Sequence, residues 1–129
     1  MSMSHVRQGF GTVRPYLYGP YELPEFLAAV FGAKEIERHE QGERRAAHVE
    51  LAIGDSVLVV EAGEQLPGHE ITQASVYVYV EDVDDVYNRA IEAGAETISA
   101  PEDQFYGERS CGFNAFDNTW WVSTYTGPS

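Results

Sequence analysis

Leu23-Pro-Glu-Phe-Leu-Ala-Ala-Val-Phe31, closed by Gly32-Ala33-Lys34-Glu35-Ile36, has a counterpart 60 positions on. There the chain reads Val83-Asp-Asp-Val-Tyr-Asn-Arg-Ala-Ile91, closed by Gly94-Ala95-Glu96-Thr97-Ile98. Leu23, Phe26, Leu27, Val30 and Phe31 recur at helical spacing, as do Val83, Val86, Tyr87, Ala90 and Ile91. Each stripe predicts one amphipathic helix stopped by a glycine in the left-handed conformation. The second glycine comes two positions later relative to its stripe, so the second helix is expected to be about two residues longer. Pro24 suits a first helical turn, and Asp82 is a candidate N-cap for the second helix. Such self-similarity points to an internal duplication.

Strand patterns surround both helices in the same order. Arg14–Tyr18 precedes the first helix and Ser75–Val80, which alternates cleanly, precedes the second. Lys34–His39, Ala46–Ile53 and Ser56–Glu61 follow the first, with a hairpin turn at Gly54-Asp55. Glu96–Ala100, Ser110–Asn114 and Thr119–Tyr125 follow the second, with a turn at residues 115–118. The expectation is an α+β fold made of two tandem βαβββ modules, residues 11–61 and 75–126. A loop carrying Gly63, Pro67 and Gly68 joins them over residues 62–74. The whole of 1–129 reads as one domain.

Alternation assigns faces. Val76, Val78 and Val80, with Val49, Leu51 and Ile53, are expected against the helices. Tyr77, Tyr79, His48, Glu50, Ala52 and one of Trp120 and Trp121 then line the concave side. Aromatic walls with a few fixed polar groups are how small-molecule sites are built. Tyrosine also suits strands for packing reasons alone, and His48 with Glu50 reads equally as a solvent-facing pair.

The 129 residues carry 8 Lys+Arg against 21 Asp+Glu, a net charge of −13. That field repels phosphate backbones and anionic lipid surfaces, so neither nucleic acid nor membrane is an expected partner. No apolar run has the length of a membrane span, and Met1–Phe10 has no apolar signal core. The single cysteine, Cys111, suits a reducing compartment and reads as packing. The expected location is cytoplasmic.

Several segments resemble the vicinal-oxygen-chelate superfamily, the glyoxalase/bleomycin-resistance/dioxygenase group, and within it the PhnB-like branch. They are Val13-Arg-Pro-Tyr-Leu17, Phe31-Gly-Ala33, the hairpin His48–Val57, Tyr79–Asp84, Pro101–Arg109 and Asn114-Ala-Phe-Asp-Asn-Thr-Trp120. The last is similar to a family D-P-F-G-N-x-W motif, with Asn114, Ala115 and Asp117 replacing its Asp, Pro and Gly. The resemblance implies curved sheets around a cavity and a homodimer, to which Trp120, Phe113 and Phe116 are candidate contributors.

Family enzymes hold a divalent metal at four positions on the first and last strands of the two modules. Carried across, these fall at Gly11 or Val13, Leu58, Tyr77 or Ser75, and Trp121. None is a His, Gln, Asp or Glu, so the expectation is no metal cofactor. The resemblance then implies a metal-free protein that binds or sequesters a small molecule, with a cationic aromatic ligand favoured by charge and cation–π contact. Expected ligand-binding residues are His48, Glu50, Leu58, Tyr77, Tyr79, Arg109 and Trp121. The alternative is an enzyme of lyase, isomerase or dioxygenase type. It would use an atypical metal site at His48 and Glu50, with His5, His39 or His69 as a further ligand, or acid/base chemistry on His48 with Glu50 or Arg109 orienting it. Arg109 has three readings: paired with Glu50, paired with loop acids such as Asp103, or clamping an anionic ligand group.

Overall fold

The computed structural model describes residues 5–43, 45–64 and 73–127. The first half contains β1 (Tyr16–Gly19), α1 (Leu23–Phe31), β2 (Lys34–Gln41), β3 (Ala46–Ile53) and β4 (Ser56–Gly63). The second contains β5 (Ser75–Tyr79), α2 (Val83–Glu92), β6 (Glu96–Gln104), β7 (Glu108–Ala115) and β8 (Asn118–Tyr125). Each half forms one four-stranded sheet, in the orders β1-β4-β3-β2 and β5-β8-β7-β6. In both, the first strand pairs in parallel with the last and the other pairs are antiparallel. This is the expected duplicated α+β architecture of curved sheets. Most of the expected 62–74 loop (residues 65–72, with Pro67, Gly68 and His69) lies outside the described residues.

The helices form for the reasons their sequences suggest. Pro24 occupies the first turn of α1, and Gly32 ends it at φ +67°, its N–H on the Ala28 carbonyl and the Ala33 N–H on the Leu27 carbonyl. The Asp82 side chain caps α2 by accepting from the Asp85 N–H at 3.2 Å. α2 exceeds α1 by one residue, ten against nine, because Ala93 intervenes before Gly94. Leu23, Phe26, Leu27 and Val30 of α1 and Val83, Val86 and Ala90 of α2 are buried. Ile91 is not: it lies at the margin of its stripe and stays 38% exposed.

One core joins the halves. α1 packs on α2, and Phe31 stacks near Phe113 and Trp120, at 6.3 and 5.3 Å between ring centroids. Phe26 meets Phe116 edge-on at 5.5 Å. Asn118, nearly fully buried, donates to the Tyr18 carbonyl and accepts from the Ala74 N–H, tying the hairpin of the second half to β1. Trp120 and Phe113 are wholly buried in this core. They are unavailable to a second protomer, which corrects the expectation that they serve a dimer contact.

Two strand assignments also change. β1 begins at Tyr16, so Gly11 and Val13 precede the sheet rather than sit on its first strand. Pro15 lacks an N–H to donate to a ladder, and Arg14 turns back on the loop before it. Leu58 pairs across from Leu51 and is buried in the shared core at 3% exposure. The register places it one residue from the concave positions Val57 and Val59, so it packs on the core side, and it also lines the groove along the edge of β5.

Candidate functional site

The β-ladder register fixes what shares the face away from the helices. In the first half His48 pairs with Glu61, Glu50 with Val59, Tyr16 with Val59 and Tyr18 with Glu61. In the second half Tyr77 pairs with Trp121, Tyr79 with Ser123, Ser110 with Ser123 and Gly112 with Trp121. The two faces are related position by position. Both hairpins are closed by equivalent pairs, Ile53 with Ser56 and Ala115 with Asn118. Counting from these, Val59 corresponds to Trp121, Glu50 to Gly112, and Tyr16 and Tyr18 to Tyr77 and Tyr79.

The first face is internally neutralised. Glu50, with its side chain 4% exposed, accepts from Arg14 Nη1 at 2.6 Å. Arg14 also donates to the carbonyls of Arg7, Phe10 and Gly11. It thereby straps the segment before β1 across this face. Gly11 makes the crossing at φ +74°, and an added Cβ there would lie 3.1 Å from Val57 Cγ2. Arg7 reaches Glu37 and stands 3.7 Å from Glu50. His48 contacts Glu61 through Nδ1, and its Nε2 lies 3.4 Å from Glu50. Tyr16 donates to Glu61 and stacks on Tyr18. Burial and the Glu61 carboxylate raise the Tyr16 phenol above its ordinary range.

The second face is open and aromatic. Tyr77, Tyr79 and Trp121 are 50%, 61% and 37% exposed. Trp121 lies flat across Gly112: a Cβ on Gly112 would fall 2.2 Å from the indole ring. Beneath the tyrosines Glu108 is buried to 9% exposure. It accepts from the Tyr77 hydroxyl, from Tyr79 at 2.6 Å and from Ser123 Oγ at 2.7 Å. Those three donors hold its carboxyl below the usual carboxylate range, Tyr77 contributing most. In return, the hydrogen bond to Glu108 pushes Tyr79 up to about 12. Tyr77 is also raised, chiefly by burial and then by the Glu108 bond.

A groove of about 330 Å³ runs along the outer edge of β5, between Tyr77 and Tyr79 on one side and Pro15 and the β3–β4 turn on the other. That is within the range of ligand pockets.

The remaining expected residues fall elsewhere. Arg109 binds Asp84 through Nε at 2.8 Å and Nη2 at 3.1 Å, with Asp103 at 3.3 Å from Nη1. It therefore does not partner Glu50, which belongs to Arg14, and it is engaged at the α2 side of the second sheet. Cys111 is buried among the core residues, and burial raises its thiol to about 11. Arg14, Glu61, Glu108 and Ser123 escaped the sequence reading. Counting back from the turn at residues 115–118 in steps of two reaches Glu108, so its place was available from alternation alone. Arg14 carried no such signal, because its reach depends on a loop.

The family's divalent metal does not fit these donors. The concave positions of the first and last strands offer tyrosines, Val59, Trp121, Ser123 and Glu61. Among the described residues no three His, Cys, Asp or Glu side chains converge on one point. Glu61, the nearest to a ligand, is already held by His48 and Tyr16.

The sequence profile of the Glyoxalase/Bleomycin resistance protein/Dioxygenase superfamily matches residues 23–122. The chain belongs to that superfamily. It is 30% identical over 94 residues to an uncharacterised protein of Mycobacterium bovis, across 66% of this chain and 62% of that one. An uncharacterised protein of Mycobacterium tuberculosis matches at the same identity, with 55% of its length covered. The chain thus spans only about 55–62% of the curated relatives it matches. Among solved structures, TioX from Micromonospora sp. ML1 superposes with a TM-score of 0.72 at 23% identity, covering 90% of this chain and 98% of that one. The fosfomycin resistance protein FosX of Listeria monocytogenes gives 0.62 at 19% identity, over 88% and 92%. At these identities the likeness is one of fold.

Proposed function

We propose that this chain is a metal-free small-molecule-binding or sequestering protein that takes a planar aromatic ligand on the concave face of its second half. The observation that carries this is the open platform of Tyr77, Tyr79 and Trp121, with the indole seated on a glycine that leaves its outer surface free. Exposed rings next to a groove of ligand size offer stacking area at low entropic cost. The net charge of −13 favours a cationic ligand by steering. TioX and FosX, whose folds this chain shares, lend the reading its family background, FosX being named for resistance to a small molecule. The proposal extends to a homodimer in the cytoplasm and to the PhnB-like branch.

The enzymatic alternative rests on His48. Both of its ring nitrogens face carboxylates, Glu61 and Glu50, so neither is directed at a substrate proton, and this favours binding over acid/base turnover. The test is a fluorescence titration with planar aromatic compounds, in which Trp121 emission changes saturably and Trp121→Ala weakens binding at least tenfold. Absence of binding by any planar compound, or turnover that is lost in His48→Ala while binding persists, refutes the proposal.

A further inference from the structure

The two faces solve the same electrostatic problem differently. Each buries a carboxylate on a middle strand of its sheet, Glu50 on β3 and Glu108 on β7, at 3% and 9% exposure. A carboxylate is seldom buried without a cationic partner. Glu50 has one in Arg14, delivered by the chain itself. Among the described residues Glu108 is in no ion pair: its partners are the hydroxyls of Tyr77, Tyr79 and Ser123. A carboxylate has about four accepting positions, and these donors fill three. Among the described residues no cation compensates the charge itself, which lies under rings whose faces attract cations. The nearest basic side chain on the same strand, Arg109, points to Asp84 and Asp103 instead.

The geometry points to Glu108 as the counter-ion for a protonated nitrogen on the ligand. The second face accepts an organic ammonium or guanidinium group, with Glu108 as its anion and Tyr77, Tyr79 and Trp121 as its cation–π wall. This deepens the reading above and rests on it, since it specifies the charge of the ligand that the platform takes. The hydroxyls hold the carboxylate in place and ionised before the ligand arrives, which lowers the ordering cost of binding. Arg14 on Glu50 is the chain's own version of the same contact.

The experiment compares three planar tricyclic probes of similar size by fluorescence and calorimetry at pH 7.5: proflavine (cationic), phenazine (neutral) and anthraquinone-2-sulfonate (anionic). The expected order is proflavine tighter than phenazine by at least about tenfold, as one charge-assisted contact provides, with the sulfonate weakest. Glu108→Gln abolishes the proflavine advantage and leaves phenazine unchanged. Glu92→Gln, on the exposed side of α2, removes one charge from the overall field and leaves the advantage intact. If circular dichroism shows Glu108→Gln unfolded, Glu108→Asp is read instead; it withdraws the charge by one methylene and weakens proflavine alone by at least about threefold. Phenazine binding as tightly as proflavine overturns the counter-ion role while sparing the aromatic platform. No binding of any probe overturns both. A proflavine advantage lost equally in Glu92→Gln reduces the effect to net charge and also overturns the role of Glu108.

Discussion

Replacing Arg14 by methionine isolates the contact that closes the first face. The change keeps most of the side-chain volume and removes the guanidinium. Glu50 is then buried, its side chain 4% exposed, with His48 Nε2 at 3.4 Å and Arg7 at 3.7 Å beside it. Arg7 is more than half exposed and held by Glu37, so it compensates little. Removing one partner of a buried pair costs about 3–5 kcal/mol. The remote help from Arg7 places the expectation near the lower end, about 3 kcal/mol. For a chain of this length each kcal/mol moves Tm by about 4 °C, so Arg14→Met should melt roughly 10–15 °C below the parent. The three backbone carbonyls freed in the segment before β1 should also make that segment the first point of proteolytic cleavage. The double variant Arg14→Met/Glu50→Leu removes both charges and sets an apolar side chain across from Val59. It should recover at least half of the lost Tm, because the stranded carboxylate, not the missing pair, is the main penalty. Thermal melts followed by far-ultraviolet circular dichroism, with urea titrations as a check, decide the matter. A single variant within about 3 °C of the parent, or a double variant as unstable as the single, would refute the account of Glu50.

Three further expectations follow from other parts of the molecule. Leu58→Ala should cost about 2–5 kcal/mol as a core truncation, since Leu58 is 3% exposed and sits opposite Leu51; an unchanged urea midpoint contradicts its placement in the core. Alkaline titration at 295 nm should show a tyrosine with a midpoint near 12 rather than 10. Because the folded phenol titrates above the unfolded one, the stability that Tyr79 lends is full below pH 10 and is lost as pH rises towards 12; in Glu108→Gln this midpoint should fall back towards 10. Asp117→Gly should raise stability by about 0.5–1 kcal/mol, because Asp117 is held at φ +64° in the β7–β8 turn; an unchanged or lower urea midpoint refutes the claim of strain there.

Periodicity carried the fold because both periods were long enough to be read. The α1 and α2 stripes and the alternation of Ala46–Ile53 and Ser75–Val80 each require one packing direction, and the chain obeys it. Reading failed where alternation gave no anchor. Ser56–Glu61 is apolar at four successive positions, so its parity cannot be seen from composition; the ladder sets Leu58 opposite Leu51 in the core, where it also lines the groove along β5. The pairing Ile53 with Ser56 supplies the missing anchor. Trp120 and Trp121 posed the same ambiguity; there the shared core claims Trp120, and Trp121 turns outward over Gly112. The site was legible only as far as strand parity reaches. Tyr77 and Tyr79 could be placed on a face, but their joint grip on Glu108 crosses β8 to a strand they do not pair with. The Arg14–Glu50 pair depends on a loop fold that no residue pattern encodes.

Duplication explains why the two faces can differ so far without loss of fold. The helix-facing pairs at the centre of the sheets stay apolar in both halves, Leu51 with Phe113, Leu58 with Trp120 and Val60 with Val122, since both contribute to one core. The concave positions bear no such demand: the first-strand tyrosines are the same in both halves, Tyr16 and Tyr18 against Tyr77 and Tyr79, while the other strands have diverged, Val59 against Trp121 and Glu50 against Gly112. Gly112 is the enabling change. With a side chain at that position, as at Glu50, the indole of Trp121 could not lie across the strand, and the surface would be a polar wall rather than an aromatic platform. The first half accordingly spends its buried carboxylate on an internal arginine and is covered by the chain's own segment. The second half exposes rings around a carboxylate that hydroxyls orient but do not neutralise. Substituting Gly112 by alanine therefore tests this division of labour directly. Trp121 should be displaced, its emission should shift to the red, and ring binding should fall, while the Arg14–Glu50 closure of the first face, monitored by proteolysis before β1, stays as in the parent. Loss of both together would mean that the faces are coupled and the division is false.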